Sequence, residues 1–390
     1  MKKSAIILAA ISAFACLAAG EIASIWPLPA PMRKYDANGD NLIKGPEITK
    51  DIARFDLNGD GIITPSEAIY VLAADDFKKE CPDYAPPQFA APKLTNSQHP
   101  AFKNTILVSM DGFDRAVLKE LLDADKLPAL RKIARANSNE DFIVNVTLSG
   151  HQTETKPGHA TMLTGLIPEH TRVQTNARFL PIPEGLTIFE RIKARNPDVK
   201  TVFVSSKREN VGAMTAEELG NRVEKGLKIE GGPYLNAKKN IDLFSATDKT
   251  PTEAIDTFLD SLGKVKNDPF FAFLHFRSPD REGHAKGRES TEYREIAKEV
   301  DSHIAKLLQF LQNNNLNQNT RIIITADHGF NPNAKHHHFA PWISMITNDP
   351  ALLTTKTPNL FDIPASIMAA FGVNLQNLDP MPFGKDISQF

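Results

Sequence analysis

The chain carries only two cysteines in 390 residues, Cys16 and Cys81. Cys16 falls in an N-terminal segment expected to be removed, which leaves Cys81 alone. No intrachain disulfide is therefore expected, even in an oxidising compartment. An excess of charge of one sign is also missing: 45 Lys and Arg against 47 Asp and Glu give a net charge of -2, with no basic tract and no acidic tail. That balance offers nothing to nucleic acid or to an anionic membrane surface as a partner. Beyond residue 20 no apolar run is long enough to span a bilayer. What remains is an ordinary globular composition, 41% hydrophobic and 24% charged, with ample length for one large domain or two smaller ones.

The first 20 residues stand apart from the fold. Lys2 and Lys3 precede an apolar run from Ala5 to Ala19 that ends in small residues. The pattern reads as a secretory signal peptide, too short and wrongly flanked for a spanning helix, and predicts export to the periplasm or medium. Ala13-Phe14-Ala15 before Cys16 makes a poor lipobox, so a lipoprotein anchor at Cys16 is the minor alternative.

Residues 21–81 carry two similar twelve-residue stretches, Asp36 to Glu47 and Asp56 to Glu67. Oxygen side chains stand at loop positions one, three and five (Asp36, Asn38, Asp40; Asp56, Asn58, Asp60), with a Glu at twelve. The backbone carbonyls of Leu42 and Ile62 fall at position seven. Ca²⁺ takes six to eight hard oxygen ligands, and a terminal Glu can supply two of them. Ile43 and Ile63, at position eight, can pair across the two loops. The second loop has Gly61 at its sharp turn. The first has Asn41 there, a residue that tolerates positive φ, and Lys44 where a ligand or bridging water is usual. Weaker calcium binding is expected in the first loop. This region resembles an EF-hand pair, although the short spacing between the loops points to a structural role rather than a sensor.

Residues 82–103 are rich in proline and read as a linker to a domain over 104–390. There, apolar strand-like runs alternate with amphipathic helices: Thr105–Met110 then Arg115–Ala134, Val199–Ser205, Phe270–Phe276 then Tyr293–Gln312, Arg321–Thr325, and a late helix over Phe361–Phe371. The alternation predicts an α/β fold with a mostly parallel central sheet and helices on both faces. Residues 180–251 are expected to form a cap insertion.

Four short runs in this domain carry metal-type ligands. Asp111, Asp280 and Asp327 each follow an apolar run, and in an open α/β sheet such positions converge on one crevice. Asp280 and His284 can come from one loop. Asp327 and His328 are adjacent, so their side chains are expected to diverge toward different metals. Mixed His/Asp ligation suits Zn²⁺, with Mn²⁺ as an alternative. Two metals about 3.5–4 Å apart stabilise an in-line phosphoryl displacement. Thr155, in Thr155-Lys-Pro-Gly-His159, offers a hydroxyl that metal coordination would activate, on a turn leading into a helix at about Ala160. Taken singly, each of these residues is more often a turn or cap.

Taken together they resemble the alkaline phosphatase superfamily, and most closely its type I phosphodiesterase/nucleotide pyrophosphatase branch. The resemblance rests on Thr155-Lys-Pro-Gly-His159, Thr164-Gly-Leu-Ile-Pro-Glu-His170, Asn176, Asp280 with His284, and Asp327-His328-Gly. It implies Thr155 as nucleophile, with a covalent phospho-threonine intermediate, and Asn176 as phosphate binder. One zinc site would hold Asp280, His284 and a later His, with His337 ahead of His336 and His338. The other would hold Asp111, Thr155, Asp327 and His328. The implied activity is hydrolysis of phosphate diesters or pyrophosphates of a small substrate. A phosphomonoesterase or phosphonate hydrolase on the same site, and a non-catalytic calcium-dependent surface module, are the alternatives. In nucleotide pyrophosphatases that resemble this chain an aromatic near the nucleophile stacks on a base; here the residue after Thr155 is Lys156, which favours a polar or anionic leaving group and makes Lys156 a substrate-binding candidate. Lys207, Arg208, Arg178 and Arg281 are further candidates for an extra negative charge. A sulfatase is disfavoured, because Thr155 cannot be converted to an aldehyde and His159 replaces the expected Arg.

Overall fold

The computed structural model describes residues 28–56, 61–65, 67, 68, 71, 72, 102–134, 143–147, 153–338 and 340–389. The expected signal peptide, Cys16, the loop residues Asn58 and Asp60, Cys81 and most of the expected linker lie outside the described residues.

Two short strands open the described chain. β1 (Ile43–Lys44) and β2 (Ile62–Ile63) pair antiparallel with Ile43 opposite Ile63, the cross-loop contact expected from the repeats. Beneath them Met32, Ile52, Phe55 and Val71 form a small core that closes on Ile167 and Phe361 of the following domain. The segment is therefore packed onto that domain.

The remaining elements run β3 (Asn104–Met110), α1 (Arg115–Asp123), α2 (Pro128–Ala134), β4 (Val144–Thr147), α3 (Thr155–Thr164), α4 (Pro168–Thr171), α5 (Ile188–Arg195) and β5 (Lys200–Ser205). They continue with the hairpin β6 (Val223–Glu224) and β7 (Leu227–Lys228), then β8 (Leu243–Ala246), α6 (Pro251–Val265), β9 (Phe270–Phe276), α7 (Asp280–Lys286), α8 (Thr291–Asn313), β10 (Thr320–Thr325), β11 (Trp342–Thr347) and α9 (Asp362–Ala370). One sheet of seven strands has the order β4-β11-β10-β3-β9-β5-β8. From β10 to β8 all neighbours are parallel, while β11 and β4 extend the edge antiparallel. The central strands β3 and β9 are buried along their whole length, as strands covered on both faces must be. Side chains alternate across β9. Phe271 meets Phe189 of α5, and Phe273 meets His159 of α3. On the opposite face Phe276 stacks on His303 of α8.

Several expectations are corrected. The single helix expected over 115–134 is two, because the chain turns at Asp125 (φ 54°) and restarts at Pro128. Proline disfavours helical geometry in the residue before it and is at home in a first helical turn. The 180–251 stretch is not an insertion as a whole: β5 and β8 within it are strands of the central sheet, β5 buried beside β9 and β8 half-buried at the edge beside β5. Only the excursion between β5 and β8 leaves the sheet. Helix α8 is close to expectation; Ser290 caps its start and Asn315, at φ 56°, turns the chain after its end.

Candidate active site

Adjacent parallel strands β10, β3, β9 and β5 end side by side, and neighbouring strands lie about 4.8 Å apart. Each delivers charged groups just past its carboxyl end: Asp327 and His328 after β10, Asp111 after β3, Asp280 after β9 and Lys207 after β5. Close backbone contact makes this possible. Gly112 sits at φ 66°, where a Cβ would come within 2.9 Å of the Asp280 side chain. A Cβ on Gly158 would stand 2.8 Å from the Asp327 carbonyl, so the turn after β10 can lie directly on α3.

The carboxylates and imidazoles converge. His328 Nε2 lies 3.6 Å from Asp111 Oδ1 and 3.5 Å from Asp327 Oδ2. Asp280 Oδ1 lies 3.4 Å from His284 Nε2 and 3.7 Å from His337 Nε2. Two ligand sets result, Asp111 with Asp327 and His328, and Asp280 with His328 and His337, each with its donor atoms within 4.8 Å of one another. The expectation that Asp327 and His328 diverge is corrected: past the strand end the backbone is no longer extended, and both side chains turn inward. Asp280 and His284 meet not on a loop but one turn apart on α7. Of the three consecutive histidines, His337 is buried in the cluster, while His336 and His338 are exposed.

Hydrogen bonds assign the imidazole tautomers. His328 Nδ1–H donates to the Gly329 carbonyl (3.0 Å), His284 Nδ1–H to the Lys335 carbonyl (2.9 Å), and His337 Nδ1–H to the Thr153 carbonyl. All three therefore turn Nε2 toward the carboxylates. Burial pulls the His337 imidazole down to about 3, which keeps it neutral. The Nε2 atoms of His284 and His337 face each other at 3.1 Å. Asp111 Oδ1, Asp280 Oδ1, Asp327 Oδ2 and His328 Nε2 are buried and make no hydrogen bond. Buried polar atoms are rarely left so, because each costs the loss of its hydration. Burial opposes charge on His328, yet the carboxylates of Asp327, Asp280 and Asp111 outweigh it and raise its affinity for a proton. Facing imidazole nitrogens, unsatisfied oxygens and a field that calls for positive charge all fit divalent cations held by mixed N/O ligands.

Thr155 opens α3 rather than preceding it, with Glu154 as N-cap. Pro157 fits in the first turn because its missing N–H would have had no intrahelical partner there. The buried Thr155 Oγ1 accepts a hydrogen bond from Lys207 Nζ at 3.3 Å, and the same ammonium lies 2.8 Å from Asp111 Oδ2 and 2.6 Å from Asp280 Oδ2. Burial works against the Lys207 charge, but Asp111 and Asp280 outweigh it and hold the ammonium above its ordinary range. Asn176 approaches the same helix start: its Oδ1 accepts from the Lys156 N–H at 2.8 Å. Its Nδ2 makes no hydrogen bond among the described residues. The Lys156 side chain, in contrast, is buried, with its ammonium on the Asn176 carbonyl, Asn210 and Glu209. That placement corrects the expectation of a substrate contact at Lys156. Arg208 pairs with Glu218, and Arg281 is exposed.

The model of the type I phosphodiesterase/nucleotide pyrophosphatase family matches residues 105–376, more than half of the chain. The chain belongs to this family, one of phosphoric ester hydrolases. Its curated relatives include an uncharacterized pyrophosphatase/phosphodiesterase of Schizosaccharomyces pombe, 28% identical over 59% of this chain and 46% of the relative. The bis(5'-adenosyl)-triphosphatase enpp4 of Mus musculus is 27% identical over 60% and 48%, and the venom phosphodiesterase CdcPDE of Crotalus durissus collilineatus is 29% identical over 57% and 26%. The chain thus spans half or less of the length of these relatives. Among solved structures, the lipoteichoic acid synthase of Listeria monocytogenes shares the fold, with a TM-score of 0.51 at 13% identity over 81% of each chain.

Membership in this phosphodiesterase family accounts for the motif residues but leaves two histidines to explain. His275 is the one polar side chain in the apolar run of β9, a signal that passed unread. Its Nδ1 accepts from the Ser206 N–H (3.3 Å), so its Nε2–H donates to Asp111 Oδ2 at 2.9 Å. Burial draws it down to about 4, so it serves as a neutral donor that aims Asp111. His159, quoted in the nucleophile motif without a role, donates Nδ1–H to the Thr155 carbonyl at 2.8 Å, with Asp327 Oδ2 3.2 Å from the same nitrogen, while Nε2 meets Ser109 Oγ at 2.9 Å. Lys207 was one of four surface-like cations in the sequence, and nothing in its local context singled it out.

Proposed function

We propose that this protein is an exported, metal-dependent hydrolase of phosphate diesters or pyrophosphates that uses Thr155 as its nucleophile. The observation that carries the reading is the set of buried, hydrogen-bond-free donor atoms on Asp111, Asp280, Asp327 and His328, gathered beside the Thr155 hydroxyl. Asp280, His284 and His337 would hold one divalent metal, zinc by ligand type, and Asp111, Thr155, Asp327 and His328 the other. When bound, such a pair supplies Lewis-acid stabilisation of the attacking and leaving oxygens and favours the alkoxide of Thr155.

The protein's own groups do the rest. Thr155 Oγ1, its proton lost to solvent, attacks phosphorus in line; the Oγ1–P bond forms as the bond to the leaving oxygen breaks, and that oxygen takes a proton from solvent, giving phospho-threonine. Asn176 Nδ2, free to donate, holds a non-bridging oxygen as charge builds there. The Thr155 N–H, at the positive end of α3, makes no hydrogen bond among the described residues and would donate to the same oxygens. Water then attacks phosphorus and gives up a proton, the Oγ1–P bond breaks, Oγ1 regains its proton, and the phosphate product leaves. His159 and His275 hold Asp327 and Asp111 in place throughout. Thr155→Ala should remove most turnover, on the order of 10³-fold or more, with metal content near wild type. Full activity in that variant would end the proposal.

A second reading has one observation in its favour. Lys207 Nζ is 3.3 Å from the nucleophilic oxygen, and an extra cation there suits the dianion of a phosphate monoester. Rates on bis-p-nitrophenyl phosphate against p-nitrophenyl phosphate separate the two. We further propose that the loops 36–47 and 56–67 bind calcium as a structural element. The carboxylates of Asp36 and Asp56 accept the N–H of Asn41 and Gly61 at matching loop positions, both at 3.0 Å, in support of two loops of one kind.

A further inference from the structure

Lys156 is buried to 1% exposure, immediately after the nucleophile, and its contacts run in two directions. Toward the loop that follows α4, its backbone N–H donates to Asn176 Oδ1 and its ammonium donates to the Asn176 carbonyl, both at 2.8 Å. Glu154, on its other side in sequence, accepts the Asn176 N–H. Asn176 is thereby gripped at its N–H, its carbonyl and its side-chain oxygen, and only Nδ2 is left to donate. Toward the excursion after β5, the same ammonium donates to Asn210 Oδ1 at 3.0 Å and lies 3.4 Å from Glu209 Oε1. That excursion also carries Lys207 to Thr155. The Phe179 ring lies 4.3 Å beneath the ammonium, and Arg222 braces Glu209 at 3.0 Å from beyond.

We propose that Lys156 is a positioning residue: a buried ammonium that ties the start of the nucleophile helix to the Asn176 loop and to the turn bearing Lys207, and so sets where the Asn176 amide points. The inference rests on the reading of Asn176 as the group that holds a phosphoryl oxygen. It differs from a substrate contact in the step it affects. A side chain that bound substrate would act on ground state and transition state together. One that aims Asn176 acts where charge develops, and a misplacement of about 1 Å there can cost on the order of 10²-fold in rate. Methionine at 156 keeps the stem and its packing on Phe179 while removing the ammonium.

The test is a double-mutant cycle on the metal-loaded protein, with metal content and melting temperature as controls. Lys156→Met should lower kcat by about 10²-fold with KM within about twofold. In an Asn176→Ala background the same change should cost less than about threefold, because the group it aims is gone. Asn210→Ala, which leaves no buried cation unpaired, serves if Lys156→Met does not fold. It should lower kcat by about tenfold, and that loss too should vanish in the Asn176→Ala background. A cost that falls on KM, or one that is equal in both backgrounds, overturns the inference while the site reading stands. A silent Asn176→Ala overturns the site reading and this inference with it.

Discussion

Two regions of this chain concentrate carboxylates, and they solve opposite problems. In the N-terminal loops the acids satisfy themselves: Asp36 takes the N–H of Gly39 and Asn41, Asp40 that of Leu42, and Glu47 those of Ala37 and Lys44. At the carboxyl ends of the central strands Asp111, Asp280 and Asp327 are buried, and each keeps an oxygen with no hydrogen bond. The loops are organised by their own backbone, so an ion adds to a structure already formed. The strand-end cluster is organised by the fold around it, and its charges stay costly until a cation offsets them. A motif dense in acids is therefore weaker evidence of an indispensable ion than a few acids that the fold has stripped of partners.

The comparison is open to attack in order of expected effect. Asp280→Ala removes an oxygen shared by His284 and His337. It should cost on the order of 10³-fold in activity and release metal by elemental analysis, and a fully loaded, active variant would break the site. His275→Ala removes only the donor that aims Asp111, so metal affinity should weaken by about 10- to 100-fold, read by competition with a chromogenic chelator. Stripping transition metal from the whole protein should lower the melting temperature by about 5–10 °C, taking a ligand at roughly 100 times its Kd and a domain of this size. Calcium should raise it by only about 3–5 °C at millimolar concentration. Glu67→Gln, in the loop with the full pattern, should remove more of that calcium shift than Glu47→Gln in the loop with Lys44. Identical melts in calcium and in chelator would refute the calcium reading, and a calcium shift larger than the transition-metal shift would reverse the comparison.

Much of the catalytic domain was legible because its strands are runs of apolar residues with sharp ends. Phe270–Phe276 is a strand over the residues expected, and the other central strands differ by a residue or so. The antiparallel edge of β11 and β4 was not legible, since pairing direction leaves no mark in a short apolar run. The break before Pro128 carried a readable signal that helical periodicity on either side concealed. Among candidate ligands, Asp111, Asp280, Asp327 and His328 stood out by following strands, and the choice of His337 over its neighbours becomes clear only from burial. Lys156 misled because a lysine beside a nucleophile reads as a substrate contact, while its long stem in fact turns the charge into the protein.

Residue type and spacing along the chain determined which groups this protein could bring to a phosphoryl centre: a threonine at a helix start, carboxylates behind strands, imidazoles one helical turn or one residue from an acid. Only the tertiary structure decided which of them meet. Strand order placed four chain-distant ends side by side, and backbone carbonyls took the Nδ1 protons of three histidines and so turned their Nε2 atoms inward. Burial stripped the carboxylates of water, and the same burial turned the Lys156 ammonium into the protein and left Lys207 beside the Thr155 hydroxyl. Direction, solvation and proximity across the sheet are properties of packed neighbours, and local sequence does not encode them.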